Sequence, residues 1–344
     1  MRLAICLSVL FLVNAAAAGE LSAWEPRAGH TRPLVAVVGA DGDTELSDYV
    51  VPYGILHSAG VAEVLALSST AGNLRLRPAL TIRPDASLAG FDGAHPEGAD
   101  YVIVPALGHG AAPALLDWLR GQAAKGATMV SICDGALVLA QAGLLHGHRA
   151  TGHWASQDER STRWPDTRWQ TNVRYLQDGR VISSAGISAA LPLAVALVEA
   201  MGGSAAAQSV AARYGLSDWS SRHDSARFGV GWRMGAAYVF NRWLAPRREL
   251  ALTAVDGVDE VALALLADAW SSTLRSRAYV LGDAPIRTRN GLTLLPDRPA
   301  DAGGERLEAP PEAAPEALLR TQLAAIGARF GAGTADLVAA HFEF

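Results

Sequence analysis

Cys133 stands in the stretch MVSICDGALVLAQAGLLHGHRATGHW, at the end of a short apolar run and just before a Gly-Ala step into a helical pattern. A residue at the C-terminal end of a buried parallel strand, followed at once by small residues and a helix, sits on a sharp turn that exposes its side chain at the sheet edge. The helix start beyond it offers oriented amides and a positive dipole, which favour thiolate over thiol. That pattern suits a nucleophile. A small core residue closing a buried strand would read the same way. A second residue able to do chemistry is Asp48 in TELSDYVVP, one helical turn before Pro52 on the helix that follows the first strand. In a sheet wound on both sides that helix begins at the same edge as the Cys133 turn, so its carboxyl could meet the sulfur. Its spacing alone would equally suit a solvated charge.

The elements needed to hold these residues are legible around them. RPLVAVVGADGDTELSDYVVPYGILHSAGVAEVLALSS reads as a strand at 34–38, a helix at 45–58 and a strand at 62–67. DYVIVPAL and ATMVSIC are two further buried strands, each followed by a helical pattern, and the alternation predicts an α/β, doubly wound parallel sheet of flavodoxin-like type. WQTNVRYLQDGRVISSAG predicts two short strands about Asp178-Gly179, and SAALPLAVALVEAMGG a helix closed by paired glycines. We divide the chain into residues 1–18, 30–214, 215–248 and 249–344, the third a Trp- and Arg-rich helical connector. The fourth is a partial, degenerate repeat: ADGDTELSDYVV…LTIRPD and VDGVDEVALALL…LTLLPD share a D-G, a helix-length apolar pattern, a β run and a closing P-D. Leu263 stands where the first copy has Asp48, so the second copy is read as structural. The Pro-, Ala- and Glu-rich 297–317 is read as a linker, and LLRTQLAAIGARF as a last helix carrying no assignable chemistry.

Residues 1–18, MRLAICLSVLFLVNAAAA, have the charged start, apolar middle and A-x-A close of a cleaved export signal, and the apolar run is shorter than the roughly 20 residues that span a bilayer. A periplasmic or secreted protein without a stable membrane anchor is the expectation. Cleavage removes Cys6 and Arg2, leaving one thiol and moving the formal charge from −5 to about −6. Neither the charge nor the scattered arginines suit nucleic-acid binding, which needs a clustered basic face.

SICDGALVLAQAGLLHGHRATGHW, together with DGRVISSAGISAALPLAVALVEAMGG downstream and ELSDYVVP and PDASLAG upstream, resembles the ThiJ/PfpI family of the class I glutamine amidotransferase-like superfamily. The likeness covers residues 33–214 and is greatest to the branch that includes isonitrile hydratase and the N-terminal domain of AraC-type regulators. It implies a reactive cysteine at Cys133, contacted by the acid at Asp48, with His153 nearby in a role that is chemical or merely loop-orienting. It also implies an oxyanion site from amides near Leu107, Gly108, Asp134 and Gly135, and a homodimer formed through sheet-edge helices. Two departures stand out. PALGHG replaces the family's Gly-Gly, and Asp134 follows the cysteine where the protease-like branch has His, which disfavours a Cys-His peptidase. No helix-turn-helix follows residue 214. No metal or nucleotide cofactor is implied: the histidines lack ligand spacing, and no G-x-G-x-x-G follows the first strand. The expected function is addition of the cysteine to a small electrophile, in a hydratase or hydrolase. The alternative is a noncatalytic small-molecule or redox-sensing domain without DNA binding.

Overall fold

The computed structural model describes residues 21–27, 30–308 and 314–344. The expected export signal lies outside the described residues, as does part of the 297–317 linker. The central sheet has seven strands, in the order Tyr175–Asp178, Val181–Ser184, Thr128–Ser131, Tyr101–Val104, Leu34–Gly39, Glu63–Ser68 and Ala86–Ser87. All neighbours are parallel except the edge hairpin about Gly179. Leu34–Gly39 explains why the sheet is covered on both sides: Val35 and Val37 enter one apolar cluster, while Leu34, Ala36 and Val38 enter the other. A strand apolar on both faces must have helices on both. The predicted strands and helices of this region are present, though the DYVIVPAL strand is confined to Tyr101–Val104 and the helix after Cys133 to Gly135–Gln141, and the flavodoxin-like α/β reading holds.

The C-terminal extension repeats the first unit in three dimensions. Strands Arg248–Thr253 and Ser276–Leu281 pair in parallel over six residues, as Leu34–Gly39 and Glu63–Ser68 do, and helix Glu260–Ser271 joins them as Leu46–Ala59 joins the first pair. The closing P-D of each copy does the same work. Asp85 exchanges two hydrogen bonds with the backbone of Ala66, its Oδ2 accepting at 2.7 Å and its N–H donating at 2.7 Å. Asp297 does so with Val280, at 2.8 and 2.9 Å. The two copies then join face to face. Thr81–Arg83 pairs antiparallel with Thr293–Leu295, centred on Ile82 opposite Leu294, and the two unit helices pack together beneath. Gly54 permits that approach, because a Cβ there would come within 2.7 Å of Glu260 and Val261.

The expected connector contains helix Trp232–Val239, running on as a wider turn through Phe240–Leu244. The predicted last helix forms as Pro315–Phe330 and is followed by a second, Ala332–Phe342, which folds back over the first domain.

Candidate functional site

The cysteine strand ends at Ser131, and the chain turns through Cys133 with φ +55, a left-handed conformation that costs a side-chain-bearing residue energy. Helix Gly135–Gln141 starts immediately beyond. Gly135 is required by contact: a Cβ there would lie 2.0 Å from the carbonyl oxygen of Val104. The turn is therefore wedged between its own helix and the end of the neighbouring strand, as the elbow reading expects. Cys133 itself is buried. Burial, reinforced by the charges of Asp48 and Asp134, pushes its thiol well above the ordinary range. The expected thiolate bias of the helix start is thus outweighed.

Asp48 is fully buried, which removes its reading as a solvated charge. Its Oδ2 accepts from the Ala106 N–H at 3.1 Å, while Oδ1 has no hydrogen-bond partner among the described residues. Burial pushes its carboxyl up to about 8, against the opposing effect of the Ala106 bond. The same carboxyl is one of the charges that raise the Cys133 thiol, so the two buried groups share one electrostatic environment.

The expected oxyanion amides divide. Gly108 N–H donates to the Asp43 carbonyl and Ala106 N–H to Asp48, so Gly108 is not available as an oxyanion donor. The Leu107 N–H donates to no partner among the described residues. Gly135 N–H donates to Ile132 O at 2.8 Å, closing the elbow turn and removing that amide as well. Asp134 turns its carboxyl to Ser156, whose Oγ donates to it at 2.6 Å, and burial raises its pKa.

His153 is buried, with both ring nitrogens engaged. Nδ1 accepts from Ala155 N–H at 3.2 Å, so Nε2 carries the proton and faces the His341 carbonyl at 3.2 Å. Burial lowers its pKa, and the ring orients the 153–156 turn and docks residue 341. Arg160, missed in the sequence, is among the largest fully buried side chains. It donates to the His153 carbonyl and to Ser156 Oγ and lies 5.4 Å from the Trp169 ring centre.

The second correction concerns the C-terminal residues, which the sequence left without chemistry. Glu343 is buried, accepts from Gly186 N–H and takes a 2.9 Å contact from His223 Nε2. Asp268, from the second copy's helix, accepts from Ser47 Oγ at 2.5 Å, one residue from Asp48. Glu45 is also fully buried, and its pKa is raised by burial and then by Asp268. Leu263 is buried and apolar as the repeat comparison expects, yet its helix still delivers an acid to the site.

A parallel α/β sheet bearing a buried cysteine on a strained strand-to-helix turn, with a helix acid aimed at its edge, defines a class of nucleophile-elbow proteins. Within that class the chain belongs to the DJ-1/PfpI family, which residues 34–200 match. It is 32% identical over 175 residues to the isonitrile hydratase of Pseudomonas putida, covering 47% of this chain and 70% of that one. It is 36% identical over 125 residues to the HTH-type transcriptional regulator CdhR of Pseudomonas aeruginosa, covering 36% of this chain and only 37% of the regulator. Among solved structures, Drosophila melanogaster DJ-1beta aligns with a TM-score of 0.49 at 23% identity, covering 54% of this chain and all of that one.

Proposed function

We propose that this chain is an exported, cysteine-dependent hydratase or hydrolase of a small electrophile, with an isonitrile or an aldehyde-like carbon as the reacting centre. The observation that carries the reading is a buried Asp48, its carboxyl raised to about 8, whose charge acts on the buried Cys133 thiol. The likeness to an isonitrile hydratase supports it. As the sulfur adds to the electrophilic carbon, Asp48 delivers its proton to the atom that becomes negative and takes the thiol proton in exchange, so no net charge is stranded in the buried site. For an isonitrile the product of this step is a thioimidate. Water then adds to its carbon, one water proton goes to nitrogen, and collapse of the adduct returns Cys133 as a thiol and releases the formamide. The Leu107 amide is the candidate donor to developing charge.

A noncatalytic ligand-binding role is favoured by one separate observation. A cavity of about 650 Å³ is lined by Arg77, Arg242, Arg247, Arg248, Arg277 and His109, with Glu249 the one acid among its lining residues. This suits a small anion. Turnover of an alkyl isonitrile and of phenylglyoxal by the wild type and by Cys133→Ser separates the readings. Turnover lost in the variant supports the enzyme, whereas specific anion binding in both proteins, without turnover in either, supports the sensor.

Export is proposed on residues 1–18, and N-terminal sequencing of protein from fractionated cells tests it. The homodimer implied by the resemblance is retained as a proposal, to be checked by sedimentation. The second copy's helix already covers one face of Leu46–Ala59, so a second chain would dock elsewhere.

A further inference from the structure

Three residues distant in sequence converge where the first helix, the second copy's helix and the C-terminal helix meet. One ligand-type atom each from Glu45, Asp268 and His341 lie within 4.8 Å of one another. His341 Nε2 is 3.9 Å from Glu45 Oε1 and 3.6 Å from Asp268 Oδ1. Two features set this apart from a chance group of acids. Glu45 is only 2% exposed, and its Oε1 faces the cluster with no hydrogen-bond partner; His341 Nε2 is buried and equally unpartnered. The remaining atoms are already held. Glu45 Oε2 lies 3.2 Å from Arg77, while Asp268 accepts from Ser47 through Oδ2 and from Ser272 through Oδ1, at 2.5 and 2.9 Å.

We propose that Glu45, Asp268 and His341 form a binding site for one divalent transition-metal cation, of which zinc fits best. Two carboxylates and one imidazole are a hard-to-borderline donor set suited to Zn²⁺ and ill matched to the all-oxygen shells of Mg²⁺ or Ca²⁺. Tetrahedral bonds of about 2.0–2.1 Å place ligand atoms about 3.3–3.4 Å apart, so the two separations from His341 need to close by about 0.2–0.6 Å and that between the carboxylates, within 4.8 Å, by at most about 1.5 Å. Fixed outer hydrogen bonds of the Ser47, Ser272 and Arg77 kind are what orient metal-binding carboxylates. The cation would also answer an electrostatic need, since two buried carboxylates face each other with Arg77 on one side only. The His341 side chain is 32% exposed, which gives the ion and a water at the fourth position a way in. The site adjoins the Cys133 chemistry proposed above, since Asp268 acts on Asp48 and Glu45 on Cys133, but it does not need that chemistry to bind the ion, which would staple residue 341 to both unit helices.

The test is calorimetric titration of the chelator-stripped full chain with zinc chloride, with bound metal measured by elemental analysis after gel filtration. One zinc per chain, with affinity reduced at least tenfold in His341→Gln and in Asp268→Asn, is the expected result. Millimolar Mg²⁺ should not displace it. No stoichiometric binding by the wild type, unchanged binding in His341→Gln, or displacement by Mg²⁺ at comparable concentration would each overturn the proposal. Should Asp268→Asn fail to fold, the partly exposed His341→Gln still decides the matter.

Discussion

Replacing Asp48 by Asn turns the buried acid into a permanently neutral isostere whose side-chain oxygen can keep the Ala106 bond. The native carboxyl is raised from 3.8 to about 8, so between these values the folded chain holds a proton that the unfolded chain has released. Folded-state proton binding in excess of the unfolded state makes stability fall with rising pH. The stabilising contribution of the neutral acid is fully present below about pH 4 and lost above about pH 8, at roughly 1.4 kcal/mol per pH unit between. The integrated loss is about 5–6 kcal/mol, of which about 4 kcal/mol is reached by pH 7. Asp48→Asn removes this term, and acids that do not interact with Asp48 cancel in the difference. Urea unfolding of both proteins from about pH 5 to about pH 8 should show the variant gaining on the wild type by roughly 1.4 kcal/mol for each unit. Parallel pH profiles would refute a buried, protonated Asp48 and, with it, the proton exchange proposed for Cys133.

Four other outcomes are expected. Iodoacetamide should alkylate Cys133 slowly at neutral pH, with a rate that climbs only above the free-thiol value of about 8.5, because burial and two acids hold the thiol up. Gly135→Ala should destabilise by about 3 kcal/mol or more in thermal unfolding, since its Cβ would meet the Val104 carbonyl at 2.0 Å. Gly54→Val should cost about 2 kcal/mol and loosen the two unit helices, seen as faster amide exchange in Leu46–Ala59. Glu343→Ala strips partners from Gly186 and His223 and should cost about 2–4 kcal/mol while speeding Cys133 alkylation.

The first domain was legible because its strands are short apolar runs set between helical patterns, and because Cys133, Gly135 and Asp48 sit at fixed places on that framework. The repeated P-D close was legible too, since each Asp makes a local clamp on its own unit. What the sequence did not reveal came from distance along the chain. Asp268 reaches Ser47 across 221 residues and Glu343 reaches Gly186 across 157, and no spacing rule connects them. The sign of the Cys133 shift was missed for a related reason. A helix start is visible in sequence, but the burial that outweighs it depends on packing by several segments. Gly108 lost its expected role because Asp43, itself unremarkable in the sequence, takes its amide.

The antiparallel joint between Thr81–Arg83 and Thr293–Leu295 bears on how the chain matures. As the polypeptide emerges, the elbow, its cysteine and the acids of the first helix are all present long before residues 268, 341 and 343. Contacts this remote in sequence form late in folding because the intervening loop must first be closed. A nascent or truncated chain would therefore carry a recognisable sheet without the contacts of Asp268 to Ser47 and of Glu343 to Gly186. Asp268 meets Ser47 only once the second copy docks, so its part in raising the Asp48 carboxyl belongs to the completed fold and not to the first unit alone.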